Sequence, residues 1–248
     1  PRDGTIDIWT VPLASCAEAA KLDGVLSSDE RSRAARFRFV RDGMRFRLCH
    51  AALRIALGHY LGQPASELVF TTGAWGKPRL GAESALRFNL AHSEDLTVMA
   101  FTTVGEVGVD LEAVAANIPA ESIAKAHFTS QEAALVRQPR SIETQARTFL
   151  RLWTRKEAIF KGVGCGLFSA LDSIDVAAQS NVVSVGTGLD GGVNSRWRLE
   201  DLELGPDFIG VVAAPAGEWT VVQWPVSNTR VAMSLPWFLR SSMDSSIA

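Results

Sequence analysis

Gly108-Val109-Asp110-Leu111-Glu112 is an apolar run carrying two carboxylates two residues apart, and Trp153-Thr154-Arg155-Lys156-Glu157-Ala158-Ile159-Phe160-Lys161 follows about forty residues later. The first stretch reads as a strand. Side chains at i and i+2 share a face, so Asp110 and Glu112 point together while Val107, Val109 and Leu111 anchor the opposite face. Two like charges roughly 6–7 Å apart repel each other unless a cation or solvent intervenes. The second stretch reads as a helix. Phe149, Trp153 and Phe160 form an apolar stripe with Leu152 and Ile159 on its flank. At about 100° per residue, Glu157 falls at the margin of that stripe and Lys161 just outside it. A carboxylate there is partly desolvated and calls for a cation or hydrogen bonds. Each segment also has a plainer reading. The strand can simply leave the core with a solvated acidic edge. Glu157 and Lys161 can form a surface i,i+4 pair worth a few tenths of a kcal/mol. If folding brings the two segments together, three carboxylates and a lysine surround one point. That would be a site for a hard divalent cation and a phosphate-bearing substrate.

Outward from these stretches, the pattern alternates between helical and extended periods. Ile6–Leu13 alternates apolar and polar positions and predicts a first strand. Ser27-Ser28-Asp29-Glu30 offers N-cap residues for an arginine-rich helix. Phe46, Cys49, Leu53, Ala56, Leu57 and Tyr60 recur at helical spacing and predict a second helix over 42–61. Strands are predicted at Leu68–Thr72, Leu86–Leu90, Leu96–Thr102 and Val107–Leu111, with a loop around Gly73, Gly76 and Pro78. A proline-bounded linker at 115–119 separates two halves, 1–116 and 117–226, and the tail 227–248 is expected to be loosely ordered apart from an apolar Leu235–Leu239 patch. The second half predicts helices at Ile118–Ala126, Ser130–Arg137 and Ile142–Lys161, the last stopped by the glycines at 162, 164 and 166. Strands follow at Ser173–Ala177, Trp197–Leu204, Phe208–Ala213 and Trp219–Gln223. The fold class is α+β. Both halves run from helices to strands, so Leu96–Thr102 and Phe208–Ala214 are candidate equivalent positions in an internal duplication.

Composition narrows the function classes. With 248 residues, the chain can bury a proper core without staples. A net charge of −2 argues against a general nucleic-acid binder. The three cysteines Cys16, Cys49 and Cys165 are odd in number and lack a CxxC spacing, which argues against a zinc site or a disulfide framework and for a reducing, cytoplasmic compartment. No apolar run is long enough to span a membrane, and Pro1-Arg2-Asp3-Gly4 opens no signal-peptide core. No GxxxxGK[ST] loop cradles phosphates, which argues against a small kinase.

Charge is nonetheless uneven, with Arg31, Arg33, Arg36, Arg38, Arg41, Arg45 and Arg47 crowding one early stretch. Most are expected on solvated helix faces, while a subset such as Arg33 and Arg45 could clamp a phosphate. Trp75-Gly76-Lys77-Pro78 is a rigid turn presenting a lysine. Phe88-Asn89-Leu90-Ala91-His92-Ser93 carries a strand outward to a histidine able to bind a phosphate oxygen.

Taken in order, Gly76-Lys77-Pro78, Phe88–Ser93, Gly108–Glu112, Phe128-Thr129-Ser130-Gln131-Glu132 and Trp153–Gly162 resemble the 4′-phosphopantetheinyl transferases, in particular the monomeric surfactin-synthetase-activating type. The resemblance spans about Leu26 to Ile174. It implies an enzyme of two similar α+β halves with the site between them. Such an enzyme moves the phosphopantetheine arm of coenzyme A to a serine of an apo acyl or peptidyl carrier protein and releases 3′,5′-ADP. It also implies Mg²⁺, or Mn²⁺, on Asp110, Glu112 and Glu157, with Glu157 as the base for the carrier serine. Lys161 would steady the pyrophosphate and protonate the leaving phosphate. Lys77, His92 and Arg45 would touch the coenzyme's phosphates, as would Arg33 or its neighbour Arg31. Ala91 stands where some members carry serine. A relative that only grips carrier proteins, or another magnesium-dependent nucleotide enzyme, is the alternative reading.

Overall fold

Extended stretches such as Thr97–Thr102 are buried on both faces, buried positions follow a helical period elsewhere, and the chain folds as α+β. The computed structural model describes residues 1–13, 22–73, 75–81, 83–115, 117–165, 171–177, 180–186 and 194–225. Cys16, Gly166 and the tail with its Leu235–Leu239 patch lie outside those residues. The described strands are β1 (Thr5–Pro12), β2 (Thr71–Thr72), β3 (Pro78–Arg79), β4 (Arg87–Ser93), β5 (Leu96–Thr102), β6 (Gly108–Ala113), β7 (Val182–Val185), β8 (Ser195–Asp201), β9 (Phe208–Pro215) and β10 (Thr220–Pro225). The helices are α1 (Ser28–Ala35), α2 (Val40–Leu61), α3 (Ala120–His127), α4 (Ser130–Arg137) and α5 (Ile142–Val163). None of the described helices is long and apolar enough to cross a membrane. Over the described residues the chain divides into two compact units. One comprises Pro1–Ile8, Phe70–Ser93 and Ala100–Val222, and the other comprises Trp9–Val69, Glu94–Met99 and the chain from Gln223.

The described strands form two four-stranded sheets, ordered β10-β1-β5-β4 and β6-β9-β8-β7, and a β2-β3 pair; the second four-stranded sheet lies in the first unit. In the second sheet β6 runs antiparallel to β9, with Asp110 opposite Val211 and Glu112 opposite Ile209. Helices α3, α4 and α5 close over this sheet. Ala124, Val136, Phe149, Ile159 and Phe160 pack with Val183, Trp197, Leu199 and Val211 in one core. Helix α5 starts at the N-cap Ser141, whose side chain accepts from Thr144 N, and ends at Gly164 in the left-handed region at φ 81°. Strand β6 meets α5 backbone to backbone. A Cβ on Gly108 would stand 1.9 Å from the Ala158 carbonyl oxygen and 2.3 Å from Gly162 N, so the acidic strand reaches the helix only because residue 108 has no side chain.

The second unit is built on α1 and α2. Ser27 and Glu30 form a capping box, Ser27 N donating to Glu30 Oε2 at 2.8 Å and Glu30 N to Ser27 Oγ at 3.2 Å. The same Glu30 carboxylate accepts from Arg54 Nε at 2.6 Å and meets His50 Nδ1 at 3.1 Å, which ties the two helices together.

Two predicted strands are corrected. Leu68–Thr72 shrinks to Thr71–Thr72, paired with Pro78–Arg79, because Arg54 Nη1 takes the Leu68 carbonyl at 2.9 Å. Ser173–Ala177 is not a strand. A short 3₁₀ turn occupies Leu171–Ser173, and the backbone groups beyond it are bound by side chains instead of a neighbouring strand. Lys156 Nζ donates to Leu171 O at 2.7 Å and Ile174 O at 2.5 Å. Val176 N donates to Glu132 Oε1 at 2.9 Å, and Arg155 Nη1 donates to Val176 O at 3.1 Å. Strand β7 had no counterpart among the predicted elements, and β8 begins at Ser195 and ends at Asp201, ahead of the predicted span.

Candidate active site

Strand β6 and helix α5 bring the two acidic segments to one place. Asp110 on β6 is buried, and its Oδ1 accepts from Lys161 Nζ at 2.5 Å. Glu157, one helical turn before Lys161, is also buried at 3% exposure. Each carboxylate feels its neighbours. Burial pushes Asp110 up, against the opposing pull of Lys161. Burial and then the Asp110 charge raise Glu112, with Ser93 and Lys161 pulling the other way. Burial, followed by the charge of Asp110, raises Glu157 to about 7, although Lys161 opposes it.

Strand β4 steadies the acidic strand through side chains. Asn89 Oδ1 accepts from Val109 N at 2.8 Å. Ser93 Oγ accepts from Ala113 N at 3.0 Å and donates to Glu112 Oε2 at 3.1 Å. Both belong to the Phe88–Ser93 motif, yet the sequence reading gave neither a role. Asn89 is buried next to Phe88, and a buried amide must find a partner. His92, on the same strand, is exposed.

Lys77 lies deeper than an exposed turn lysine. Its Nζ donates to Glu106 Oε2 at 2.8 Å, Val107 O at 3.0 Å and Gly162 O at 2.9 Å. Arg33 and Arg45 belong to the other unit. The Arg33 guanidinium lies over the Phe46 ring at 5.2 Å, and Arg45 is paired with Asp95 at 2.8 Å and Glu94 at 3.0 Å.

Glu132 and Lys156 also lie in the sequence motifs, and both are fully buried. They form an ion pair at 2.8 Å that joins α4, α5 and the segment after the 3₁₀ turn. Burial pushes the Lys156 ammonium down, and Glu132 works against that. The capping box of Thr129 and Glu132 was the available clue, since it fixes the start of α4.

The donor set suits a hard cation. Asp110 Oδ2 and Glu157 Oε1 are buried without a hydrogen-bond partner, which costs free energy that a positive charge would recover. Among the described residues, no three His, Cys, Asp or Glu side chains already stand as a metal-holding group. On Asp110 the Lys161 ammonium supplies the neighbouring positive charge.

An α+β frame thus sets strand-borne carboxylates against a helix-borne glutamate and lysine. The sequence profile of the 4′-phosphopantetheinyl transferase superfamily matches residues 106–216, the span from Glu106 through β6 and α5 to the end of β9. The 4′-phosphopantetheinyl transferase HetI of Nostoc sp. is 38% identical over 226 residues, covering 88% of this chain and 91% of that protein. A putative 4′-phosphopantetheinyl transferase of Synechocystis sp. is 33% identical over 204 residues, covering 81% and 79%. The 4′-phosphopantetheinyl transferase psf-1 of Bacillus pumilus is 33% identical over 155 residues, covering 62% and 64%. The chain belongs to the 4′-phosphopantetheinyl transferase family and is a transferase of that type.

Proposed function

We propose that this chain transfers the 4′-phosphopantetheine arm of coenzyme A to a serine hydroxyl of an apo acyl or peptidyl carrier protein, releasing 3′,5′-ADP, as a member of the surfactin-synthetase-activating type. The observation that carries the reading is the Asp110–Lys161 contact beside two buried, unpartnered carboxylate oxygens. Asp110, Glu112 and Glu157 would hold Mg²⁺ or Mn²⁺, which when bound neutralises charge on a diphosphate. The chain's own residues do the rest. Glu157 takes the proton of the carrier serine, whose oxygen forms a bond to the pantetheine-side phosphorus. The bond from that phosphorus to the bridging oxygen breaks, and the electron pair leaves with the 3′,5′-ADP phosphate. Lys161 steadies that phosphate and can return a proton to it. In the metal-free site a carboxylate raised to about 7 is a stronger base than an ordinary glutamate. His92, open to solvent on β4, is a contact for a coenzyme phosphate. Arg33 and Arg45 are proposed as further phosphate contacts on the sequence pattern alone.

The two halves, 1–116 and 117–226, are proposed as duplicated units that exchange one strand each. In support, β6 from the first half edges the sheet of β7, β8 and β9, and β10 from the second edges the sheet of β1, β5 and β4. Incubating the protein with coenzyme A, Mg²⁺ and a panel of purified apo-carriers tests the reaction. A mass gain of one phosphopantetheine arm on the carrier, with 3′,5′-ADP in solution, is the expected result. No gain on any fatty-acid, polyketide or peptide-synthetase carrier would sink the assignment.

A further inference from the structure

We propose that Lys77 is a positioning residue, a buried clamp that fixes the strand carrying Asp110 and Glu112 against the helix end carrying Glu157 and Lys161. The inference rests on the transfer reading above. An ammonium has three N–H donors, and all three are engaged, at 2.8 Å by Glu106 Oε2, 3.0 Å by Val107 O and 2.9 Å by Gly162 O. Val107 directly precedes β6, and Gly162 directly follows Lys161. One side chain thus joins the two elements within three residues of Asp110 on one side and next to Lys161 on the other. Gly162 O lies in the last turn of α5, where carbonyls lack helical partners and a cation is favoured.

Glu106 is itself held in place, with Arg79 Nη2 and Arg87 Nε each 3.5 Å from its Oε1. Exposure separates the three cations. The Lys77 side chain is 8% exposed, against 47% for Arg79 and 39% for Arg87, although all three border a cavity of about 330 Å³. A phosphate entering that cavity meets the arginines, and reaching Lys77 would require breaking its bonds. The backbone contact between Gly108 and the end of α5 has no side chain to interlock, so a donor bridging both backbones sets the register there. Misplacing catalytic groups by about 1 Å can cost roughly 10²-fold in rate.

Initial-rate kinetics on Lys77→Met and Glu106→Gln, normalised to folded protein, distinguish the roles. Positioning predicts that Lys77→Met lowers kcat by about 10- to 100-fold with the KM for coenzyme A within about two-fold. Glu106→Gln should lower kcat several-fold, again with KM unchanged. A phosphate contact predicts the reverse: KM rises at least ten-fold in Lys77→Met, and falls in Glu106→Gln because the ammonium is freed. Either of those results overturns the proposal, as does a loss of thermal stability with kcat per folded molecule intact. Should Lys77→Met fail to fold, Glu106→Gln alone still separates the two: a lowered kcat with KM unchanged supports positioning, and a lowered KM overturns it. Should the parent protein modify no carrier, the transfer reading falls by itself. Amide exchange at 160–163 then tests the clamp independently: faster exchange in Glu106→Gln supports it, and unchanged exchange overturns it.

Discussion

Glu157 keeps a carboxylate where water barely reaches, with Oε1 unpartnered and Asp110 close enough to raise its pKa further. Such an arrangement costs stability in the free protein and is retained where the charge has work to do. Glu157→Gln keeps the shape and removes the charge. Turnover should fall by about 10²–10⁴-fold, as for a lost general base. The midpoint of thermal unfolding of the metal-free protein should hold or rise, because no charge remains to be desolvated. Calorimetry beside the carrier mass assay measures both, and unchanged turnover would remove Glu157 from the chemistry. At this scale the sequence was legible wherever a residue's place follows from local period. Strand and helix periods placed Asp110, Glu112, Glu157 and Lys161. The same periods were silent on Lys77, whose three partners come from residues 29, 30 and 85 positions away.

Among the elements, α5 explains what period alone misses. Its apolar stripe was readable, yet Thr154, Arg155, Lys156 and Glu157 are buried as well, so the middle of the helix is enclosed nearly all round. Lys156 and Arg155 face a segment whose backbone they bind directly. That is why Ser173–Ala177, apolar enough to suggest a strand, pairs with no strand among the described residues. Propensity describes how a backbone bonds with itself and cannot register two cations that supply the bonds instead. The buried Glu132–Lys156 pair should therefore be a principal fastening of α4 and α5 to that segment. Lys156→Met leaves Glu132 buried without its cation and should cost about 3–5 kcal/mol in urea unfolding. Adding Glu132→Gln to that variant should recover part of the loss, since the stranded charge is then gone. A single-variant cost below about 1 kcal/mol would mean that the pair is not what holds the segment.

Over the whole molecule, the α+β class followed from the order of periods along the chain, whereas the two compact units could not. Each is assembled from segments far apart in sequence, and β6 pairs with a strand about a hundred residues downstream of it. The units also rest on different electrostatics. In the unit of α1 and α2, burial opposes the charge of Glu30, but His50, Ser27 N and Arg54 together outweigh it and lower the pKa to about 2 from an ordinary 4.5. The folded state therefore releases this proton more readily than the unfolded chain does. Its contribution is complete above about pH 4.5 and fades as pH falls toward 2. A shift of that size is worth about 2 kcal/mol once solvent screening is allowed for. Chemical denaturation followed at pH 7, 4.5 and 3 should show stability falling across the two lower values. Glu30→Gln should be less stable than the parent at pH 7, and the gap should narrow by pH 3, where the parent has lost part of the same interaction. Amide protection of α1 and α2 should report the change, since Glu30 caps one helix and grips the other. A gap that stays constant from pH 7 to pH 3 would mean that the ionised carboxylate is not what joins the two helices.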